Sequence, residues 1–184
     1  MAKSRGWSKP PSDFKQEIDD SVSTRQRVIA MAMMQEIVYK SPVGNPSIWK
    51  ANLERKSSNV AAADAYDAIA ATLGNKKLTK KERDQNYYVN DLAAGRGYVG
   101  GTFRGNNFVT IDEPGYYQLN RVDANGSATI AAASAAIRSA APYSVIYLQN
   151  NLPYAERLEQ GHSTQAPAGI YAVAFHGVSQ AYSS

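Results

Sequence analysis

The residues of this chain best suited to chemistry are two carboxylates and an imidazole in one short segment. Glu156, Glu159 and His162 follow one another at intervals of three, a spacing that brings metal-ligand types to one side of a helix. Gly161 favours an end to that helix before His162 joins it, and a fourth ligand is missing nearby. A solvated group of charges is the simpler interpretation, and a metal site supporting a small hydrolase is the alternative.

Other reactive groups are few. Asp112 and Glu113 are adjacent, so their carboxylates would point apart in a strand, and a turn is the simpler interpretation. No nucleophile stands at a readable spacing from a base, and the sequence contains no cysteine. We therefore expect a protein that is not an enzyme and that has no catalytic residue, metal or cofactor.

A strand, a corner, a short helix and a loop must position the first group of residues. The β-branched and aromatic run at residues 144–148 predicts a strand buried on both faces, ending at the polar corner of residues 149–151. A helix is predicted over residues 154–159, with Gly161 as its left-handed cap. The loop at residues 162–169 is predicted to be extended and exposed.

The amino-terminal part predicts an arm followed by a long helix. Residues 1–11 predict a flexible arm, on which Trp7 is a suitable anchor for a partner. Ser12 or Asp13 is expected to cap a helix that continues to about Lys40, where Pro42 ends it. Apolar residues recur along it as a core-facing stripe requires. The stripe consists of Ile18, Val22, Ile29, Met33 and Ile37.

Residues 51–96 predict an inserted helical hairpin. Ser58 is expected to cap its first helix and Gly74 to end it, while Thr79 and Glu82 predict a capping box for the second. A basic run accompanies the second helix start. It consists of Lys76, Lys77, Lys80, Lys81 and Arg83. A solvated helix start is the preferred interpretation, and a nucleic-acid-binding module is the alternative.

The remaining segments predict a small sheet and further helices. The glycine-rich residues 95–101 predict a hinge or a close approach, and residues 102–111 and 116–122 predict two strands. Ser127 is expected to cap an alanine-rich helix that ends near residue 140, and a last helix is preferred over a strand after Gly169. The predicted fold is α+β: an antiparallel sheet of about four strands, packed by the long amino-terminal helix and the alanine-rich helix, with the helical hairpin inserted.

Length and composition allow a single domain of 184 residues with that insertion. The absence of cysteine fits assembly in a reducing cytoplasm, and no apolar run resembles a signal core or a membrane span, so a soluble protein is expected. Residues 1–104 carry 17 basic and 11 acidic residues, whereas residues 105–184 carry 3 and 5. This asymmetry suits head-to-tail contact between copies, and two solvated surfaces explain it equally well.

Three blocks of the sequence carry recognisable motifs. Residues 41–50 are SPVGNPSIWK, residues 97–104 are GYVGGTFR, and residues 150–169 are NNLPYAERLEQGHSTQAPAG. In this order they resemble the SPVGxPxxWK, glycine-rich and NxxPYAxxLExGxSxQAPAG segments of tailed-bacteriophage neck or tail-completion proteins. Agreement in all three argues against chance similarity, whereas residues 51–96 depart from the family, whose first block runs almost directly into the second.

The resemblance implies a structural virion protein that forms a hexameric ring at the head–tail junction. Such a ring connects the head connector to the tail and lets DNA pass without reading its sequence. The implied partners are other copies of the chain, head connector or adaptor proteins, tail tube or tail terminator proteins, and the passing DNA, with no membrane. The implied location is the virion neck, after assembly in the host cytoplasm. A tail-terminator ring is the alternative position.

Contacts with another subunit or with the next ring are expected at residues of the arm and of the third block. They are Trp7, Tyr154, Leu158, Ser163, Gln165, Pro167 and Gly169. Apolar side chains would anchor these contacts, while Gln165 would satisfy backbone groups. For Tyr154 and Leu158, packing within the subunit is an equally good interpretation.

Overall fold

The computed structural model of the protein describes residues 9–94 and 99–183. The chain divides into two compact units, one formed by Met1–Val43 with Gly101–Ser184 and the other by Gly44–Gly100. The predicted insertion at residues 51–96 falls within the second unit. Trp7, most of the predicted arm and residues 95–98 lie outside the described residues.

The described residues contain seven α-helices, one 3-10 helix and two strands, which confirms the predicted α+β class. In chain order the elements are α1 (Pro11–Lys40), the 3-10 helix (Pro46–Ile48), α2 (Lys50–Thr72), α3 (Lys80–Tyr87), α4 (Thr102–Gly105), β1 (Phe108–Ile111), α5 (Ser127–Arg138), β2 (Ile146–Gln149), α6 (Ala155–Glu159) and α7 (Tyr171–Tyr182). None of these helices combines the length and the apolarity that crossing a bilayer needs.

Two apolar clusters form the core of the first unit. The first cluster joins α1, β1 and α5 through Ala30, Met34, Val38, Val109, Ala133 and Ile137. The second cluster joins α1, α4 and α7 through Ile37, Phe103, Ala166, Ile170 and Ala174. Full burial of one large apolar side chain such as Met34 contributes about 1.5 to 3 kcal/mol. Both clusters use α1, so this helix is the common support of the unit.

The sheet is smaller than predicted. Strands β1 and β2 pair antiparallel, with Phe108 opposite Gln149 and Ile111 opposite Ile146. The expectation of about four strands is wrong for the described residues, and residues 102–105 form α4 instead of the start of a strand. Strand β2 is half-buried, not buried on both faces as predicted, because among the described residues it pairs with β1 alone and is not enclosed as a central strand is.

The segment at residues 116–122, predicted as a strand, has no regular structure because side-chain amides satisfy its backbone. The Leu119 N–H donates to Asn106 Oδ1 at 3.0 Å, and Asn151 Nδ2 donates to the Tyr117 carbonyl at 3.0 Å. Asn120 has a φ of 47°, in the left-handed region that an extended strand does not use. Asparagine amides therefore take the place of a partner strand.

The predicted apolar stripe of α1 is only partly the buried one. Of its five residues, Ile37 is buried, whereas Ile18 is 41% exposed and the other three are half-buried. The buried face is instead formed by Ser23, Ala30, Met34, Ile37 and Val38. Small residues at positions 23 and 30 allow neighbouring elements to approach the helix closely, and the hydrophobic pattern alone did not reveal this.

Three predicted helix caps are wrong. Helix α1 begins at Pro11, and α2 begins at Lys50, so Ser58 lies inside a helix. Helix α5 begins at Ser127, but its amino-terminal N–H groups are satisfied by Asp123, whose carboxylate accepts from the Gly126 N–H at 3.0 Å and the Thr129 N–H at 2.7 Å. Burial would raise the pKa of Asp123, and these hydrogen bonds outweigh it, so its pKa lies below the ordinary value.

The second unit is the helical hairpin that the sequence predicts. Thr79 and Glu82 form the complete capping box at the start of α3, and Gly74 follows the end of α2 with a φ of 70°. Arg83 of α3 donates to the carboxylates of Asp64 and Asp67 on α2. The ion-pair group joins α3 to α2, while the capping box fixes where α3 begins.

Candidate functional site

The third sequence block contains α6, which ends in a Schellman motif. The His162 N–H donates to the Arg157 carbonyl and the Gly161 N–H to the Leu158 carbonyl, both at 3.1 Å. Gly161 has a φ of 81°, which confirms the predicted left-handed cap. The motif turns the chain sharply away from the axis of α6.

The loop that follows is folded back, not extended as predicted. An isolated bridge joins Ser163 to Ala166, and the Ala166 side chain is buried in the second core cluster. A Cβ at Gly161 would overlap the carbonyl oxygen of Pro167, so only glycine permits this return of the chain. Pro167 itself remains exposed at the loop surface.

Glu159 holds the start of α7 from eleven residues upstream. Its carboxylate accepts hydrogen bonds from the N–H groups of Ile170, Tyr171 and Ala172, each at 2.8 Å. Burial would raise the pKa of Glu159, but these three N–H donors outweigh that effect and hold the pKa below its ordinary value. A Cβ at Gly169 would crowd the Glu159 carbonyl oxygen, so glycine is required for this approach too.

A buried amide network joins the three sequence blocks inside the first unit. Asn107 Nδ2 donates to Ser41 Oγ at 3.0 Å, and Asn150 Nδ2 donates to Asn107 Oδ1 at 3.0 Å and to the Phe103 carbonyl at 2.9 Å. The Tyr171 hydroxyl donates to Asn107 Oδ1 at 2.7 Å, and burial raises the pKa of Tyr171. Ser41 belongs to the first block, Phe103 to the second and Asn150 to the third.

Arg104 connects the second block to the end of α1. Its Nη2 donates to the Ser41 carbonyl at 2.8 Å and its Nη1 to the Ala124 carbonyl at 2.7 Å. A cation at the carboxyl end of a helix is favourable because it complements the helix dipole and satisfies the last carbonyls. The arginine therefore fixes where the chain leaves α1.

Residues of all three blocks line one open groove of about 400 Å³ on the surface of the first unit. We call it the three-block groove. Its lining includes Lys40–Pro42 at the end of α1, Arg104, Val173 of α7, and Gln165–Gly169 of the loop. The Val43 N–H donates to Gln165 Oε1 at 3.1 Å, which joins the loop to the first block. The described lining is partly polar and partly apolar and contains two cations and no carboxylate.

The residues predicted for subunit contacts occupy different environments. Gln165, Pro167 and Gly169 line the three-block groove, although Gly169 is buried. Leu158 packs against the second core cluster, and the ring of Tyr154 lies 6.2 Å from that of Phe103 while 39% of the residue is exposed. Ser163 Oγ accepts from the Gln165 N–H at 3.2 Å. Trp7 lies outside the described residues, and the predicted contact roles remain predictions.

The alternative of a metal site at Glu156, Glu159 and His162 is not supported by the geometry. The Glu159 carboxylate is occupied by three backbone N–H groups, and Gly161 ends the helix before His162. Within residues 9–94 and 99–183, no cluster of histidine and acidic side chains is arranged to hold a metal ion.

The basic run of the second unit divides into two parts. Arg83 is occupied by Asp64 and Asp67, whereas Lys76, Lys77, Lys80 and Lys81 are exposed and form no ion pair within the described residues. Hydrogen bonding to Asp64, helped by charge–charge attraction to Asp64 and Asp67, raises the pKa of Arg83 further above its ordinary value. Only the four lysines are therefore available to an anionic partner.

Sequence reasoning missed three almost completely buried polar residues, Asn106, Asn107 and Asp123. Asn106 and Asn107 bond to groups distant in sequence, whereas Asp123 bonds to N–H groups three and six residues further along the chain. A local signal for Asp123 exists, since a carboxylate three residues before Gly126 can accept from its N–H. Nothing in the local sequence indicated the partners of Asn107 or Tyr171.

A comparison of the chain with protein-family models, with curated proteins and with solved structures finds no match.

Proposed function

We propose that this chain is a structural virion protein that forms a ring, with six copies implied by the resemblance, at the head–tail junction of a tailed bacteriophage. The ring would connect the head connector to the tail and let DNA pass through its lumen. The chain would act by contact between subunits and with neighbouring rings, not by catalysis, and it would be assembled in the host cytoplasm before it becomes part of the virion.

One observation carries the proposal: the three sequence blocks that resemble the phage family line one open groove. Ser41 and Pro42, Arg104, and Gln165–Gly169 are far apart in sequence but adjoin the same surface depression. Chance similarity in separate segments has no reason to converge in three dimensions. The convergence supports the interpretation that the blocks serve a common surface.

The chemistry of the groove supports docking. The polar groups of the blocks are largely occupied by backbone partners within the subunit, as the bonds of Glu159, Arg104 and Asn150 illustrate. Exposed Pro167 and Ala168 remain at the groove as rigid, weakly polar contact area. A surface of this kind suits complementary packing with a protein partner.

The mass of the purified protein in solution tests the proposal. Sedimentation or native mass spectrometry is expected to show a ring-sized oligomer, and Pro167→Asp is expected to shift it towards monomer because a charge would be buried at the contact. Ala135→Asp on the exposed side of α5 is the matched control and should leave the mass unchanged. A monomer at all concentrations would refute ring formation. Equal masses for the two variants would refute the role of the loop.

The position of the ring is tested by its partners. Binding to purified head connector is expected for a neck ring, whereas binding to the tail tube alone favours the tail-terminator alternative. The two outcomes are exclusive if each partner is offered separately at the same concentration.

The four exposed lysines favour a second candidate, a nucleic-acid-binding module in the second unit. Its test is binding to DNA of arbitrary sequence as the salt concentration rises, with Lys77→Ala and Lys81→Ala combined in one variant. The module is supported if the DNA affinity falls steeply with salt concentration and if the slope in the variant corresponds to about two fewer phosphate contacts. Binding with no salt dependence excludes it.

A further inference from the structure

A second groove of about 490 Å³ runs along α1 in the first unit. Its walls are the half-buried Val22, Ile29 and Met33 of α1, the side chains of Ile146 and Leu148 on β2, and Tyr143. These α1 residues belong to the apolar stripe that the sequence predicts and the core does not use. We call it the α1 groove.

We propose that the α1 groove binds the segment of residues 1–8 from a second copy of this chain, with Trp7 seated between α1 and β2. The inference rests on the proposed self-assembly and names one contact by which copies are joined. A tryptophan is the side chain most often found as the energetic anchor of such a contact, because a large rigid area is buried at small entropic cost.

The reach of the arm requires the second copy. Trp7 precedes Pro11 by four residues, so their Cα atoms are at most about 14 Å apart. The middle of the groove, between Gln26 and Ile29, lies about 22 to 27 Å along α1 from Pro11, at about 1.5 Å per residue. The length of the Trp7 side chain, added to the reach of the backbone, does not cover the distance from Pro11 to the middle of the groove. Trp7 therefore cannot occupy the middle of its own groove.

The groove offers a matching size and a matching polar group. Its volume falls in the range of about 300 to 1,000 Å³ that accommodates compact ligands, which is sufficient for an indole and adjacent backbone. Gln26 lines the groove, and its buried Oε1 has no hydrogen-bond donor in the part of the chain that the structure describes. An unmatched buried acceptor costs about 1 to 3 kcal/mol, and an indole N–H that reaches Oε1 can supply the donor while Gln26 Nε2 keeps its bond to the Ser144 carbonyl.

Charge at the Tyr143 end complements the arm. Residues 1–8 contain Lys3 and Arg5 and no acidic residue. Asp19 accepts a hydrogen bond from the Tyr143 hydroxyl at 3.1 Å, and Asp20 follows it on the exposed surface of α1. Arg25, a cation of the groove lining that also lies on α1, donates to the Tyr182 carbonyl at 2.9 Å.

The backbone at Tyr143 is strained in a way that shapes this end of the groove. Tyr143 has a φ of 66°, a left-handed conformation that costs a non-glycine residue about 1 kcal/mol or more. In this conformation its 66%-exposed ring stands at the groove and bonds to Asp19. Residues held in such conformations cluster at surfaces that contact ligands.

Cross-linking between single-cysteine variants tests the proposal, because the natural sequence has no cysteine. Ser8→Cys labels the arm without removing Trp7, Arg25→Cys labels the α1 groove, and Gln35→Cys is a matched exposed control further along α1. An equimolar mixture of the arm and groove variants is treated with a short thiol cross-linker. We expect at least about ten times more mixed dimer than with the Gln35 variant, because docking raises the effective concentration of the two thiols.

The outcomes separate this inference from the proposed function. Mixed dimer at the level of the Gln35 control refutes arm docking even if rings form, and an unchanged yield after Trp7→Ala in the arm variant refutes the anchor. A monomer at all concentrations refutes both proposals. Arm-to-groove cross-linking in a species smaller than a ring supports the contact and refutes the ring.

Discussion

Replacement of Glu159 by glutamine tests how α7 is held. Helix α7 begins after Ile170, whose own side chain offers no cap, so three amino-terminal N–H groups depend on one distant carboxylate. Glutamine preserves the size of the side chain but supplies one acceptor oxygen instead of two and removes the charge. The change therefore removes the charge together with at least one of the three accepted hydrogen bonds.

The expected loss of stability follows from the bonds that are removed. A hydrogen bond to a charged group contributes about 1.5 to 3 kcal/mol and one between neutral groups about 0.5 to 1.5 kcal/mol. A negative charge at a helix amino terminus contributes about 0.3 to 1 kcal/mol more. With partial solvent exposure of the carboxylate, Glu159→Gln is expected to lower the free energy of unfolding by about 2 to 3 kcal/mol, or the Tm by about 4 to 12 °C.

Thermal unfolding monitored by circular dichroism at several pH values is the assay. The pKa of Glu159 is lowered by folding, so its contribution is complete above its ordinary pKa of 4.5 and is lost as the pH falls through the lower folded value. The difference in Tm between the natural protein and the variant should therefore be largest near neutral pH and shrink below pH 4.5. The lowered pKa of Asp123 acts equally in both proteins and cancels.

Glu156→Gln is the matched control because Glu156 lies on the same helix and is exposed. Its carboxylate accepts from Gln160 Nε2 at 3.1 Å, a surface contact whose loss changes stability by about 0.5 kcal/mol or less. Equal Tm values for the two variants, or a difference that grows as the pH falls, would contradict the role assigned to Glu159.

Two further substitutions test local backbone features. Gly161→Ala should lower the free energy of unfolding by about 2 kcal/mol or more, because its φ of 81° and the Pro167 carbonyl leave no room for a Cβ. The control Gly177→Ala has open space inside α7 and should raise the free energy of unfolding by about 0.5 to 1 kcal/mol. Chemical denaturation compares the two variants, and equal effects would contradict the argument. Thr79→Ala should lower the free energy of unfolding by about 1 kcal/mol and speed amide hydrogen exchange in the first turn of α3. Ser127→Ala should change this free energy little, because the Ser127 hydroxyl bonds to a side chain outside α5. A larger effect at Ser127 than at Thr79 would reverse the assignment of caps.

Local signals in the sequence predicted the elements whose causes are also local. The capping box of Thr79 and Glu82 acts over three residues, and Gly74 and Gly161 accept left-handed backbone conformations at the positions where helices end. The end of α1 follows from Pro42 in the same way. Each of these causes lies within a few residues of its effect, so a single sequence is sufficient to read it.

Features that depend on distant partners could not be read in this way. The strand expected at residues 116–122 is replaced by irregular backbone because Asn106 and Asn151 reach it from elsewhere in the chain. Likewise, the role of Glu159 depends on α7, which returns to α6 only through the folded loop. The apolar pattern of α1 identified a helix, but which of its faces is buried depends on the elements that pack against it.

The length of α1 sets a distance between the two grooves. Thirty residues of continuous helix extend about 45 Å, and the groove centred near Gln26 is separated by about 20 Å from the groove that begins at Tyr39. A helix packed along this span does not stretch. Neighbours that occupied the α1 groove and the three-block groove of one subunit would therefore be held at a constant spacing by α1. The length of this one helix would then set the spacing of subunits in an assembly built on these contacts.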